Sequence, residues 1–73
     1  MSAEKIGNLN AAAMMLNANG QSVPLLAPED YANTASIAQT TINLRNGLKL
    51  LQETDPEAAA GIEQLIQQTE QLK

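Results

Sequence analysis

Apolar residues recur with a helical period in three separate stretches of the chain. In the first, Ile6, Leu9, Ala13 and Leu16 stand at spacings of 3, 4 and 3, which places them on one face of an α-helix. Ala12 and Met15 widen that face. The pattern predicts a helix over residues 3–18. Ser2 is a candidate cap, Glu4 sits where the helix dipole favours an acid, and Gly20 after Asn19 is a stop signal.

The second periodic stretch opens at Pro28, a residue favoured at the first helical position, with Glu29 and Asp30 in the first turn. It predicts a helix over residues 28–53. Ile37, Thr41, Leu44, Leu48 and Leu51 repeat at 4, 3, 4 and 3, the spacing of a coiled-coil seam. A further stripe of Ala35, Ala38 and Ile42 makes the apolar surface wider than one partner helix needs. Gly47 weakens this helix by about 1 kcal/mol relative to Ala and suits a close helix crossing. The third stretch, predicted as a helix over 56–72, carries Ala58, Ile62, Leu65, Thr69 and Leu72 at the same spacings, with Ile66 alongside.

Two interruptions separate these segments. Pro24 and Pro28 exclude a helix from residues 20–27. Val23, Leu25 and Leu26 are nevertheless apolar, so the segment reads as a strap across the helices with Leu25 or Leu26 in the core. The other reading is an extended docking peptide that fills a partner's groove. At the second break, Asp55 caps, Pro56 takes the first helical position and Glu57 follows; a Thr54–Glu57 capping box is the alternative. Such a short corner joins antiparallel neighbours, although one long helix kinked at Pro56 also fits the residues. The predicted fold class is therefore all-α. A single small domain comprises an N-terminal helix (1–19), the strap (20–27) and a C-terminal antiparallel helical hairpin (28–73). The hairpin pattern is similar to that of small helical hairpins that dimerise into four-helix bundles, a likeness of architecture alone.

Composition narrows the function. A chain of 73 residues buries too little surface to be more than marginally stable, and small domains usually add a staple. The chain contains no Cys and no His, which excludes disulfides, thiolate zinc sites and imidazole ligands or bases. Another protein chain remains as the expected staple. The net charge is −4 and the four basic residues, Lys5, Arg45, Lys49 and Lys73, are spread along the sequence, which argues against nucleic acid as a partner. No apolar run reaches the ~20 residues of a membrane span, and "MSAEKIGNLN" does not read as a signal peptide. A cytoplasmic or virion-associated location is expected.

No catalytic residues, cofactor, metal ligands or small-molecule substrate are predicted. Glu29/Asp30 and Asp55/Glu57 are explained as acids in first helical turns. The glycines are isolated and form no phosphate loop. The candidate residues are instead protein-interface residues. Val23, Leu25 and Leu26 belong to the strap, and Ala35, Ala38 and Ile42 form the second stripe. Arg45 lies beside that stripe, either reaching an acid on a neighbouring chain or snorkelling. Met14 and Met15 are a soft contact surface or plain core, and Tyr31 is an interface anchor or a helix-start packing residue. The polar faces are rich in uncharged amides such as Asn8, Asn10, Asn17, Gln64 and Gln67, which can be buried in an interface without desolvating a charge. The expectation is a non-catalytic structural or assembly subunit, packing through apolar helix faces against its own copies or a larger complex of virion or secretion type. The alternative is a small cytoplasmic regulatory adaptor, a helical dimer that occludes a partner protein.

Overall fold

The computed structural model describes residues 3–71, so Ser2 and Leu72, each assigned a role from the sequence, lie outside the described residues. Three α-helices account for most of it: α1 (Ala3–Ala18), α2 (Thr34–Thr54) and α3 (Pro56–Gln71). Each packs against the other two around one core. That core contains Ile6, Leu9 and Leu16 of α1, Leu44 and Leu51 of α2, and Ile62 and Ile66 of α3.

Helix α1 is helical from the first described residue and ends at Ala18 as predicted, and its predicted face is buried together with Ala12. Met15 does not join that face and is exposed. The helix ends in a Schellman motif. The Gln21 N–H donates to the Leu16 carbonyl and the Gly20 N–H to the Asn17 carbonyl, both at 3.0 Å. Gly20 takes φ of 87°, a left-handed conformation that costs a glycine little.

The strap then runs back along α1, held by two asparagine side chains. The Val23 N–H donates to Asn17 Oδ1 at 2.8 Å, and Asn17 Nδ2 donates to the Val23 carbonyl at 2.9 Å. Asn10 grips Leu26 in the same two-bond manner, each bond 3.0 Å long. The register has a geometric basis. Asn10 and Asn17 are two helical turns apart, about 10.5 Å at 1.5 Å per residue. Val23 and Leu26 are three extended residues apart, about 10 Å at the rise of a strand. Each amide thus satisfies one residue's main chain as a β-ladder partner would, where no strand is present to do so. Val23 and Leu26 consequently point into the core, and Leu25 faces solvent. This settles which of the two leucines is buried.

The sequence reading placed the start of the second helix too early. Pro28–Asp30 form only a 3-10 turn, and α2 begins at Thr34, capped by Asn33, whose side chain accepts from the Ala35 and Ser36 N–H groups. Asn33 is extended, at φ −94° and ψ 101°, so the helix cannot run through it. The turn in between positions Tyr31, whose hydroxyl accepts a 2.9 Å hydrogen bond from Asn10 Nδ2. Loss of a cap of this kind costs about 1 kcal/mol. We therefore expect Asn33→Ala to lower the urea midpoint by a corresponding amount with an unchanged m-value.

The corner at Pro56 is a hairpin and not a kink, as Leu51 and Ile62 are both buried in the same core and Arg45 of α2 meets Glu70 of α3. Asp55 is the cap of α3, accepting from the Ala58 N–H at 3.3 Å. Thr54 does not form the alternative capping box; its hydroxyl turns back to the Leu50 and Leu51 carbonyls. Helix α2 buries Ile37, Thr40, Leu44, Gly47 and Leu51. Thr41 and Leu48 of the predicted seam are only half-buried. The helix is thus rotated slightly toward Thr40 and Gly47. Gly47 sits under Leu16 and Val23, with a Cβ built on it meeting their methyl carbons at 3.3 and 3.4 Å.

Candidate docking face

Burial of one side of α2 leaves the opposite side largely unpacked among the described residues. Ile42 lies about 180° around the helix from the middle of the buried stripe at 100° per residue, and is 52% exposed. Ala35 and Ala38 are exposed on the same side. They continue the helical spacing into Arg45 and Lys49, so apolar and basic positions follow one another along a single face of α2.

Two adjoining clefts border this face. One, of about 520 Å³, is lined on its α2 side by Thr34, Ile37, Ala38, Thr41, Ile42 and Arg45, and it is completed by Lys5 and Leu9 of α1 and by Thr69 and Glu70 of α3. The other, of about 410 Å³, shares Ile42 and Arg45 and extends past Lys49 to Gln52. Two of the hydroxyls in the first cleft are engaged within their own helices. Thr41 donates to the Ile37 carbonyl and Thr69 to the Leu65 carbonyl, both at 2.9 Å. Among the described residues, no buried side-chain nitrogen or oxygen lacks a hydrogen-bond partner, and no three acidic side chains gather as metal ligands. The clefts offer shape, apolar surface and charge.

The remaining sequence-predicted interface residues are dispersed. Val23 and Leu26 are taken up by the chain's own core, whereas Leu25 is half-exposed. Tyr31 is partly buried against the core with its hydroxyl bound to Asn10. Met14 and Met15 are exposed on the outer side of α1. Arg45 forms an ion pair within the chain, with Glu70. Both side chains of that pair are substantially exposed, so it contributes at most about 1 kcal/mol. We expect Arg45→Ala to leave the urea midpoint nearly unchanged.

Two groups escaped the sequence reading. Lys5 is only 3% exposed and lines the larger cleft. Its signal was available, because it stands one turn before Leu9 on the apolar face of α1. Leu50 is an exposed leucine outside both predicted stripes. The amides Asn10 and Asn17, read as candidate interface polarity, are used within the chain to hold the strap. Among the described residues, no helix is long and apolar enough to cross a membrane. Comparisons with protein-family models, curated proteins and solved structures returned no match to this chain.

Proposed function

We propose that this chain is a non-catalytic structural or assembly subunit that docks onto other protein through the outer face of α2. The observation that carries the reading is Ile42, a large apolar side chain half-exposed between Ala38 and Arg45, with clefts on either side. Burying an isoleucine of this exposure contributes about 1 kcal/mol or more at an interface. A domain this small also gains proportionately from burial that it cannot achieve alone. The absence of Cys and His from the sequence supports a non-catalytic role.

The test is native mass spectrometry of the chain isolated from its source, together with Ile42→Asp. Aspartate on an exposed helix face leaves the fold intact, so circular dichroism should not change. The mass of the complex should collapse toward that of the lone chain. A wild-type chain found only as a stable monomer would sink the proposal. A regulatory adaptor that occludes a partner would use the same α2 face, since the core has claimed Val23 and Leu26. Recovery with one defined regulator, and not in a large particle, would favour that second reading.

A further inference from the structure

An asparagine followed directly by glycine occurs at two places in the chain, Asn19–Gly20 and Asn46–Gly47. The pair has a chemistry of its own. The main-chain nitrogen after an asparagine can attack that residue's side-chain amide, and glycine offers this nitrogen with no Cβ beside it. The fold treats the two pairs in opposite ways.

Asn46–Gly47 lies in the interior of α2, where the Gly47 N–H belongs to the helical ladder. Gly47 is buried beneath Leu16 and Val23. Freeing its nitrogen means opening the middle of a helix and the core packed on it. Asn19 and Gly20 instead follow the last residue of α1, and both are exposed. No atom beyond the chain's immediate neighbours lies within 4 Å of the Cβ position of Gly20. The Gly20 N–H is held by the Asn17 carbonyl at 3.0 Å, and Asn19 Nδ2 by the Met15 carbonyl at 2.9 Å. Both bonds belong to the terminal turn of α1, and helix ends open at far smaller cost than buried helix centres.

We infer that Asn19 is a site of spontaneous modification, at which its amide becomes a carboxylate or an isoaspartyl linkage and the strap is thereby loosened. When the turn opens, solvent base removes the Gly20 N–H proton. The nitrogen bonds to Asn19 Cγ, and the Cγ–Nδ2 bond breaks with loss of ammonia. Water then opens the cyclic imide at either carbonyl. One opening leaves aspartate, and the other leaves the main chain running through Cγ. One water is taken up and one ammonia released, with no oxidation or reduction.

Both products weaken the end of α1. A carboxylate at residue 19 stands at the negative end of the helix dipole and has no N–H to donate to the Met15 carbonyl. The isoaspartyl form also inserts a carbon into the main chain between Asn19 and Gly20. That insertion falls inside the turn closed by the Gly20–Asn17 and Gln21–Leu16 bonds. It also falls inside the six-residue span over which Asn17 grips Val23.

The test is incubation of the folded full chain in mildly alkaline heavy-oxygen water, followed by digestion in ordinary water. Trypsin cuts after Arg45 and so separates the two sites. Mass spectrometry with fragmentation then assigns the label. Label should enter at residue 19 at least about tenfold faster than at residue 46, the ratio produced by a difference of about 1.4 kcal/mol in local opening. In guanidinium chloride the two rates should converge. Equal rates in the folded chain, faster labelling at residue 46, or labelling of the unfolded chain alone overturns the inference. The aged wild-type chain should also unfold at a lower urea midpoint than the fresh chain. Asn19→Gln keeps an amide but closes the ring far more slowly, so its midpoint should not change with age. A labelled chain with an unchanged midpoint overturns the loosening of the strap.

Discussion

Asn10→Ala should destabilise the chain by about 3 kcal/mol, more than any other single polar substitution on its surface. The Asn10 amide makes three hydrogen bonds: it accepts from the Leu26 N–H and donates to the Leu26 carbonyl and to the Tyr31 hydroxyl. A hydrogen bond lost with its partner exposed costs about 1 kcal/mol, and leaving a buried main-chain group without a partner costs about 1–3 kcal/mol. Leu26 is only 7% exposed, so water replaces the lost amide poorly. Domains hold roughly 0.05–0.15 kcal/mol per residue in reserve, so a loss of this size removes a large part of the stability of so short a chain. Asn17→Ala is the control. It removes the matching two-bond clamp on Val23, a residue as buried as Leu26, but no third bond like that to Tyr31, so a smaller loss of about 2 kcal/mol is expected. Urea unfolding followed by circular dichroism checks both. Equal, small losses would show that apolar burial alone positions the strap.

The clamps also mark the limit of what the sequence made legible. Local signals were sufficient for the end of α1, where the apolar spacing gives way to Gly20, and for the corner, where Asp55 and Pro56 act on their immediate neighbours. The start of α2 failed because Pro28, Glu29 and Asp30 satisfy the opening of a 3-10 turn as well as that of an α-helix. What decides between them is Asn33 as cap and the tether of Tyr31 to a residue 21 positions earlier. The strap's contact with α1 spans 16 residues between Asn10 and Leu26. Spacing alone identified neither the Asn–main-chain match nor which of Leu25 and Leu26 turns inward. The candidate face was legible only in part. The Ala35/Ala38/Ile42 stripe was visible as excess apolar surface, but the gathering of Lys5, Arg45 and Lys49 around it depends on how three helices are assembled.

Gly47→Leu should cost about 3 kcal/mol or more, and it tests how α1 and the strap approach the hairpin. Gly47 is buried in α2, and even the first carbon of a side chain would lie 3.3 Å from a Leu16 methyl and 3.4 Å from a Val23 methyl. Leu16 is fully buried and has no solvent-side rotamer into which to retreat. The rest of a leucine side chain would therefore have to push α1 and the strap off α2, and overpacking of a filled core typically costs about 1–3 kcal/mol and occasionally more. Gly47→Ala distinguishes packing from helix propensity. Alanine gains about 1 kcal/mol in a helix interior, while its Cβ requires the two methyl groups to yield by only a few tenths of an ångström. Its expected stability lies within about 1 kcal/mol of wild type. If leucine were tolerated as well as alanine, the Leu16–Val23–Gly47 contact could not be what sets the distance between α1 and the hairpin. Because Val23 is also the residue gripped by Asn17, Gly47→Leu combined with Asn17→Ala should cost less than the sum of the two single losses. A strap already displaced by leucine has less left to lose when its clamp is removed.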